Sequence, residues 1–176
     1  MTKLFHVEHK NKTLFYKGFF LFFVFSILVS CKTQRELIDV SDYILLENGK
    51  QVPGKEKGLT AFLFQNNPKR KTFNQFLVEK YDLGNYQDIE YWVTIEGIKF
   101  KVFLYENAEL DKYFVTNDFV ASNVVPDDSV VGSKVKFLAI SVIDSYNDDC
   151  LADTSLFKNI VIKYLKDLKE EYNNSI

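Results

Sequence analysis

Cysteine and histidine, the side chains most often used as nucleophile, general base or zinc ligand, are few in this 176-residue chain. It has two cysteines, Cys31 and Cys150, and two histidines, His6 and His9, which both lie in the first 31 residues. Ser-His-Asp and Cys-His catalysis need a histidine base, and zinc and haem sites commonly use histidine or several cysteines. These chemistries therefore depend on whether the N-terminal segment is retained.

The densest group of carboxylates comprises Asp144, Asp148 and Asp149, with Asp153 close behind. Carboxylate oxygens bind Ca²⁺, but an EF-hand loop needs a central Gly and a Glu at its twelfth position, where Ser155 stands. Aspartate is also common in turns and at helix starts. We therefore expect a solvated strand-to-helix loop here, with no metal and no other cofactor.

A pair of carboxyl groups acting as acid and base is the common hydrolytic chemistry that needs no histidine. Glu90 and Glu96 lie six residues apart on one predicted strand, or about 20 Å, whereas glycoside cleavage needs roughly 5 to 10 Å. Asp148 and Asp149 have no identified apolar pocket to separate their pKa values. The sequence predicts a non-catalytic protein, with a carboxylate-dependent hydrolase as the alternative.

A binding surface is the other candidate, on one face of a predicted hairpin. Its large side chains are Trp92, Lys101, Phe103 and Tyr105. Exposed, they would form a ligand or partner patch, with Lys101 across from Trp92 for a cation–π contact. Covered by residues 106–133, they would form a second small core. Both interpretations remain open, and these four are the candidate binding residues.

The N-terminal segment has the composition of a secretory signal peptide. Four lysines, at positions 3, 10, 12 and 17, precede an uncharged run of 13 residues from Gly18 to Ser30. A helix needs roughly 20 apolar residues to cross a membrane. Cleavage is therefore favoured over a permanent membrane span.

The run ends in Leu28-Val29-Ser30-Cys31, which resembles the lipobox of bacterial lipoproteins. The resemblance implies that a diacylglyceryl group is attached to the Cys31 sulfur, that residues 1–30 are removed and that the chain is anchored to a membrane. Lys32, rather than Asp, follows the cysteine. By resemblance to the lipoprotein sorting rule of enteric bacteria, this implies the outer rather than the inner membrane.

Removal of residues 1–30 would leave a chain without histidine and without a partner for a Cys150 disulfide. The remainder has 18 Lys and Arg against 23 Asp and Glu, a net charge of −5, and only two arginines, Arg35 and Arg70. Nucleic-acid binding is therefore disfavoured. We expect Cys150 to be buried, with a thiol pKa raised by Asp148 and Asp149.

Strict alternation of apolar and polar residues predicts a hairpin from Ile89 to Tyr105 around Glu96-Gly97. The numbers of two residues that lie opposite each other then add up to 193, so that 95 faces 98 and 92 faces 101. One face of this hairpin is wholly apolar: Ile89, Tyr91, Val93, Ile95, Ile98, Phe100, Val102 and Leu104. Asn48-Gly49 predicts an earlier hairpin between residues 42–46 and a short strand at Val52. Further strands are predicted at Leu59–Gln65 and Val135–Ile143, the second of them central.

Helical spacing of apolar residues predicts helices over Pro68–Tyr81, capped by Asn67, and from Asp153 or Thr154 to Tyr172. Residues 106–133 lack a clear pattern apart from one or two helical turns near Glu109–Phe114. This order predicts an α+β fold: a mostly antiparallel sheet of four to six strands with two helices packed on one face. The expected organisation is a signal peptide (1–30), a lipidated cysteine and tether (31–41) and a single domain (42–176).

Together, these features predict a membrane-anchored, non-catalytic binding protein in the envelope of a diderm bacterium. The expected partner is another envelope protein, such as an assembly or secretion complex, or a toxin that an immunity protein neutralises. The alternative function is a carboxylate-dependent hydrolase of envelope polymers.

Overall fold

The computed structural model describes residues 37–84, 89–105, 107–121, 127–129, 131 and 135–175. The signal peptide and Cys31 predicted above lie outside these residues. The strands are β1 (Ile38–Asp39), β2 (Ile44–Leu46), β3 (Ala61–Gln65), β4 (Glu90–Ile95), β5 (Ile98–Tyr105), β6 (Phe119–Val120) and β7 (Phe137–Ile143). The α-helices are α1 (Phe73–Tyr81), α2 (Asn107–Tyr113) and α3 (Lys158–Asn174), and short 3₁₀ turns occupy Thr116–Asp118 and Asp127–Ser129.

Five strands form one antiparallel sheet in the order β2-β3-β7-β5-β4. All seven residues of β7 are buried, which confirms the prediction that this strand is central. The remaining two strands, β1 and β6, form a small parallel pair. The fold is therefore α+β, as the sequence predicts.

The helices α1 and α3 pack on the same face of the sheet, also as predicted. Their buried side chains recur at helical spacing, and they share one core cluster with the inner face of the hairpin. The contributing residues include Phe73, Phe76 and Leu77 of α1, Val161, Leu165 and Leu168 of α3, and Phe100, Val102 and Leu104 of β5. The opposite face is partly covered by α2, whose Leu110 packs in a second cluster with Leu63 and Ala139.

Both predicted helix starts are wrong. Helix α1 begins at Phe73, because the Thr72 hydroxyl accepts the Gln75 N–H at 3.3 Å and acts as the N-cap; residues 67–72 form a turn before it. Helix α3 begins at Lys158 with no side-chain cap. Leu156, which lies within the predicted helix but precedes the observed one, is 95% exposed.

The first predicted hairpin is also wrong. Strand β2 pairs with β3, with Ile44 opposite Leu63, so the two strands are joined by residues 47–60, called here the 47–60 loop. Asn48 does have a positive φ of 67°, but within this longer connection. Residues 38–40, which the sequence assigns to the tether, take part in the fold, because Ile38 pairs with Phe119 and Val40 is fully buried.

Candidate functional site

The hairpin formed by β4 and β5 has the predicted register. Ile95 lies opposite Ile98 and Trp92 opposite Lys101. Glu96 and Gly97 take positive φ values of 50° and 82°, as the two central residues of a type I′ turn require. Even-numbered residues of β4 and odd-numbered residues of β5 therefore lie on the sheet face opposite α1 and α3. We call this set the outer hairpin face: Glu90, Trp92, Thr94, Lys99, Lys101, Phe103 and Tyr105.

Strand β4 is held in place from its inner face. The ring of Tyr91 stacks on Tyr81 of α1 at 4.4 Å, and its hydroxyl lies 2.8 Å from that of Tyr164 in α3. Burial raises the pKa of both Tyr91 and Tyr164, so both hydroxyls stay protonated and bonded. These contacts fix the backbone that carries Trp92 on the other face.

Phe103 belongs to the core. Its side chain is 4% exposed and packs in a small cluster with Ile143 of β7 and with Val52 and Leu59 of the 47–60 loop. The predicted cover from residues 106–133 is therefore wrong for this residue. A connection distant in sequence shields it instead.

Tyr105 is also buried, at 2% exposed. Its hydroxyl accepts the Lys50 N–H at 2.8 Å and donates to Ser141 Oγ at 2.8 Å, which donates in turn to the Thr60 carbonyl at 2.7 Å. Burial raises the pKa of Tyr105 to about 12. Leu110 and Phe114 complete its surroundings, so this end of the outer hairpin face is the second core that the sequence offered as one interpretation.

Trp92 is open to solvent, with 48% of its surface exposed. The ammonium of Lys99 lies over its ring at 5.0 Å. The predicted cation–π partner, Lys101, lies instead over Phe103 at 5.0 Å. Lys99 is the diagonal neighbour of Trp92 across the hairpin, and sequence analysis missed it because only directly opposite residues were paired; diagonal neighbours are within reach of a large ring.

Two lysines near the ring are ion-paired. Lys101 contacts Glu90 at 2.6 Å, and Lys50 lies 3.4 Å from Glu90 and 3.6 Å from Glu109. Burial works against ionisation of Glu90, but hydrogen bonding and attraction from Lys101 and Lys50 outweigh it and lower the pKa of this carboxyl. The patch is thus an exposed indole with the Lys99 ammonium over its ring and an ion-paired group of charges beside it.

Residues 144–153, called here the acidic loop, line a cleft of about 750 Å³ together with the 47–60 loop. The carboxylates of the acidic loop have local partners. Asp144 accepts the backbone N–H groups of Tyr146 and Asp148, and Asp149 accepts those of Leu151 and Thr60. Asp148 pairs with Lys55 at 2.5 Å, and Asp153 pairs with Lys158. Each of these four carboxylates therefore has at least one oxygen in a turn hydrogen bond or an ion pair.

Cys150 is fully buried, as predicted. Burial and the negative charges of Asp144, Asp149 and Asp148 raise the pKa of its thiol to about 12. A protonated, inaccessible thiol is a poor nucleophile, so this side chain has a packing role in the cleft floor.

Among the described residues, no three or more His, Cys, Asp or Glu side chains are grouped to hold a metal ion. Over the same residues, no helix combines the length and apolar character that crossing a membrane requires. No protein-family model matches the chain, and no curated protein or solved structure matches it.

Proposed function

We propose that the chain is a lipid-anchored protein of the bacterial cell envelope whose domain binds a protein partner through the accessible part of the outer hairpin face, Glu90, Trp92, Thr94, Lys99 and Lys101, centred on Trp92. The observation that carries this proposal is the exposure of Trp92 on a strand that is fixed from behind by Tyr91. Tryptophan is enriched among residues that dominate interface energies. Because the strand that carries Trp92 is already fixed, binding there costs little backbone entropy.

Trp92 lies far from the first residue that the structure describes. That residue, Leu37, is next to β1, and the β1–β6 pair packs near Phe137 at the start of β7. Trp92 lies opposite Lys101, which pairs with Ile143 at the other end of β7. Since that strand is about 20 Å long, Trp92 and the β1–β6 pair lie toward opposite ends of it.

Lipid attachment is tested at Cys31. The Cys31→Ala chain is expected to lose both its processing before residue 31 and its recovery in the membrane fraction, because the proposed anchor is the sulfur substituent. Mass spectrometry of the wild-type chain from membranes should find residue 31 modified and N-terminal, with the outer membrane as its main location. Cys150→Ala is the matched control, and it should remain membrane-bound. Normal processing and membrane retention of Cys31→Ala would contradict the anchor.

Partner binding is tested by affinity purification from native membranes with Trp92→Ala. We expect this variant to weaken capture of the wild-type partner by more than about fivefold, or roughly 1 kcal/mol, as hot-spot truncations do. Tyr146→Ala is the matched control, because Tyr146 is an exposed aromatic residue (79%) of the acidic loop. Equal capture by wild type and Trp92→Ala would refute the proposed surface.

A further inference from the structure

The two edges of the five-stranded sheet differ in how open they are to another strand. The edge strand β2 has only three residues, and the Asp42 carboxylate just before it is paired with Lys166 and Lys169. Strand β4 forms the other edge with six residues in unbroken register. Its sequence, Glu-Tyr-Trp-Val-Thr-Ile, has no Pro, Gly or Lys. Natural proteins use short strands, bulges, Pro or charged residues, Lys above all, to prevent edge pairing. Strand β4 has no bulge, Pro or Lys, and its one charged residue is Glu90 at the first position.

The hairpin register shows which backbone groups of β4 face outward. Leu104 donates its N–H to the Ile89 carbonyl at 3.0 Å, so positions 89, 91, 93 and 95 exchange hydrogen bonds with β5. The alternate residues Glu90, Trp92 and Thr94 direct their N–H and C=O groups away from β5. Among the described residues, no strand pairs with this outer side. Three donors and three acceptors are therefore aligned along one side of the sheet.

We propose that β4 pairs in an antiparallel manner with β4 of a second copy of this chain, with Trp92 opposite Trp92. A two-fold axis through residue 92 places Glu90 opposite Thr94 of the second copy. This register uses all three outward residues of each copy and forms six backbone hydrogen bonds. Shifting it by two positions in either direction leaves four, because residue 90 or 94 then lacks an outward-facing partner within β4.

Charge favours the same register. With Glu90 opposite Thr94 of the second copy, the next strand of that copy places Lys99 beside Thr94. The Cα atoms of Glu90 and of Lys99 in the second copy then lie two strand spacings apart, or about 10 Å. At that distance the two long side chains can bring the carboxylate and the ammonium together. A shift that centres the axis on Val93 would instead place Glu90 opposite Glu96 of the second copy. Like charges in directly opposite positions are unfavourable.

The dimer goes beyond the proposed function and does not require it. It would join two five-stranded sheets into one of ten strands, with both Trp92 side chains adjacent at the centre of the outer face. A six-residue strand pair buries little surface and is expected to be weak. Lipid anchors on one membrane would raise the effective concentration of the two copies, and only this point rests on the proposed anchor.

The test uses opposite charges at one exposed position. The full chain, purified in a density-matched detergent, is examined by sedimentation equilibrium as wild type, Thr94→Glu and Thr94→Lys. Thr94→Glu places a negative charge opposite Glu90 twice per dimer, so we expect its dissociation constant to rise about tenfold. Thr94→Lys faces the same carboxylate with opposite charge, so its dissociation constant should equal or fall below that of wild type.

Loss of folding would not produce this order. Thr94 lies opposite Lys99 within its own hairpin, so glutamate at this position gains an attractive neighbour in the monomer and lysine gains a repulsive one. Thermal melts of the three chains establish that all are folded. A wild-type chain that stays monomeric up to about 1 mM overturns the proposal, as does a dimer that responds equally to both charges, which would place the interface elsewhere. If only an extended peptide from another protein pairs with β4, the second-copy proposal also fails.

Discussion

Phe103→Ala is expected to lower the free energy of unfolding by about 3–5 kcal/mol, as loss of a buried Phe ring typically does. The ring of Phe103 is the centre of the cluster formed with Val52, Leu59 and Ile143, and it is 4% exposed. Its removal leaves a cavity between β5 and the 47–60 loop that the neighbouring backbone hydrogen bonds prevent from collapsing. Chemical denaturation followed by far-UV circular dichroism measures the difference.

The matched comparison is Trp92→Ala on the same face of the same hairpin. Trp92 is half exposed, and its ring contacts the ammonium of Lys99. The free energy of unfolding of this variant should therefore fall by only about 1 kcal/mol or less. Comparing the two losses of stability therefore distinguishes a core residue from a surface residue within the outer hairpin face, where the sequence pattern alone does not. A loss of several kcal/mol for Trp92→Ala would assign the indole to the core and remove the proposed binding site.

The hairpin could be predicted from the sequence because its information is local. Alternation determines which residues share a face, and Glu96-Gly97 determines the turn. Ile95 must then lie opposite Ile98, and this pair sets the register of the whole hairpin. A one-residue slip would bury Lys99 and Lys101. The central position of β7 was predictable for a similar reason, since both of its faces are apolar.

What covers each face could not be predicted, because alternation does not identify the covering element. Trp92, Phe103 and Tyr105 follow one pattern, yet Phe103 is covered by the 47–60 loop, whereas Trp92 remains 48% exposed. The start of α1 had the same difficulty. Asn67-Pro68 and Thr72 both favour the start of a helix. The helix starts after Thr72, where Phe73 packs on Tyr172 of α3.

The Asn48-Gly49 pair failed as a hairpin signal because its glycine serves another purpose. A Cβ atom on Gly49 would lie 2.4 Å from the Tyr105 hydroxyl and 2.9 Å from the Leu59 carbonyl. The residue is small because the 47–60 loop closes on itself above β5, where Gly49 donates its N–H to the Leu59 carbonyl at 2.8 Å and Leu59 donates to the Lys50 carbonyl at 2.9 Å. Sequence alone gives no sign of so distant a steric requirement.

Gly58→Ala tests this closure, and it should destabilise the domain by about 2–3 kcal/mol through overpacking. A Cβ atom on Gly58 would lie 2.4 Å from the Gly49 carbonyl oxygen and 2.9 Å from the Asn48 carbonyl carbon. Both are backbone atoms, so no change of rotamer relieves the contact. The loop must separate from itself and lose one or both hydrogen bonds that hold it over Phe103 and Tyr105.

Gly84→Ala is the matched control, since a Cβ atom there meets nothing within 4 Å in the part of the chain that the structure describes, and the substitution should change the free energy of unfolding by less than about 0.5 kcal/mol. Denaturation curves of both variants measure the difference. Because the 47–60 loop covers Phe103, Gly58→Ala should also make Phe103→Ala less costly when the two are combined, as residues that share one packing unit are not additive. Full additivity of the two changes, or a neutral Gly58→Ala, would mean that the loop is not the structure that closes this side of the sheet.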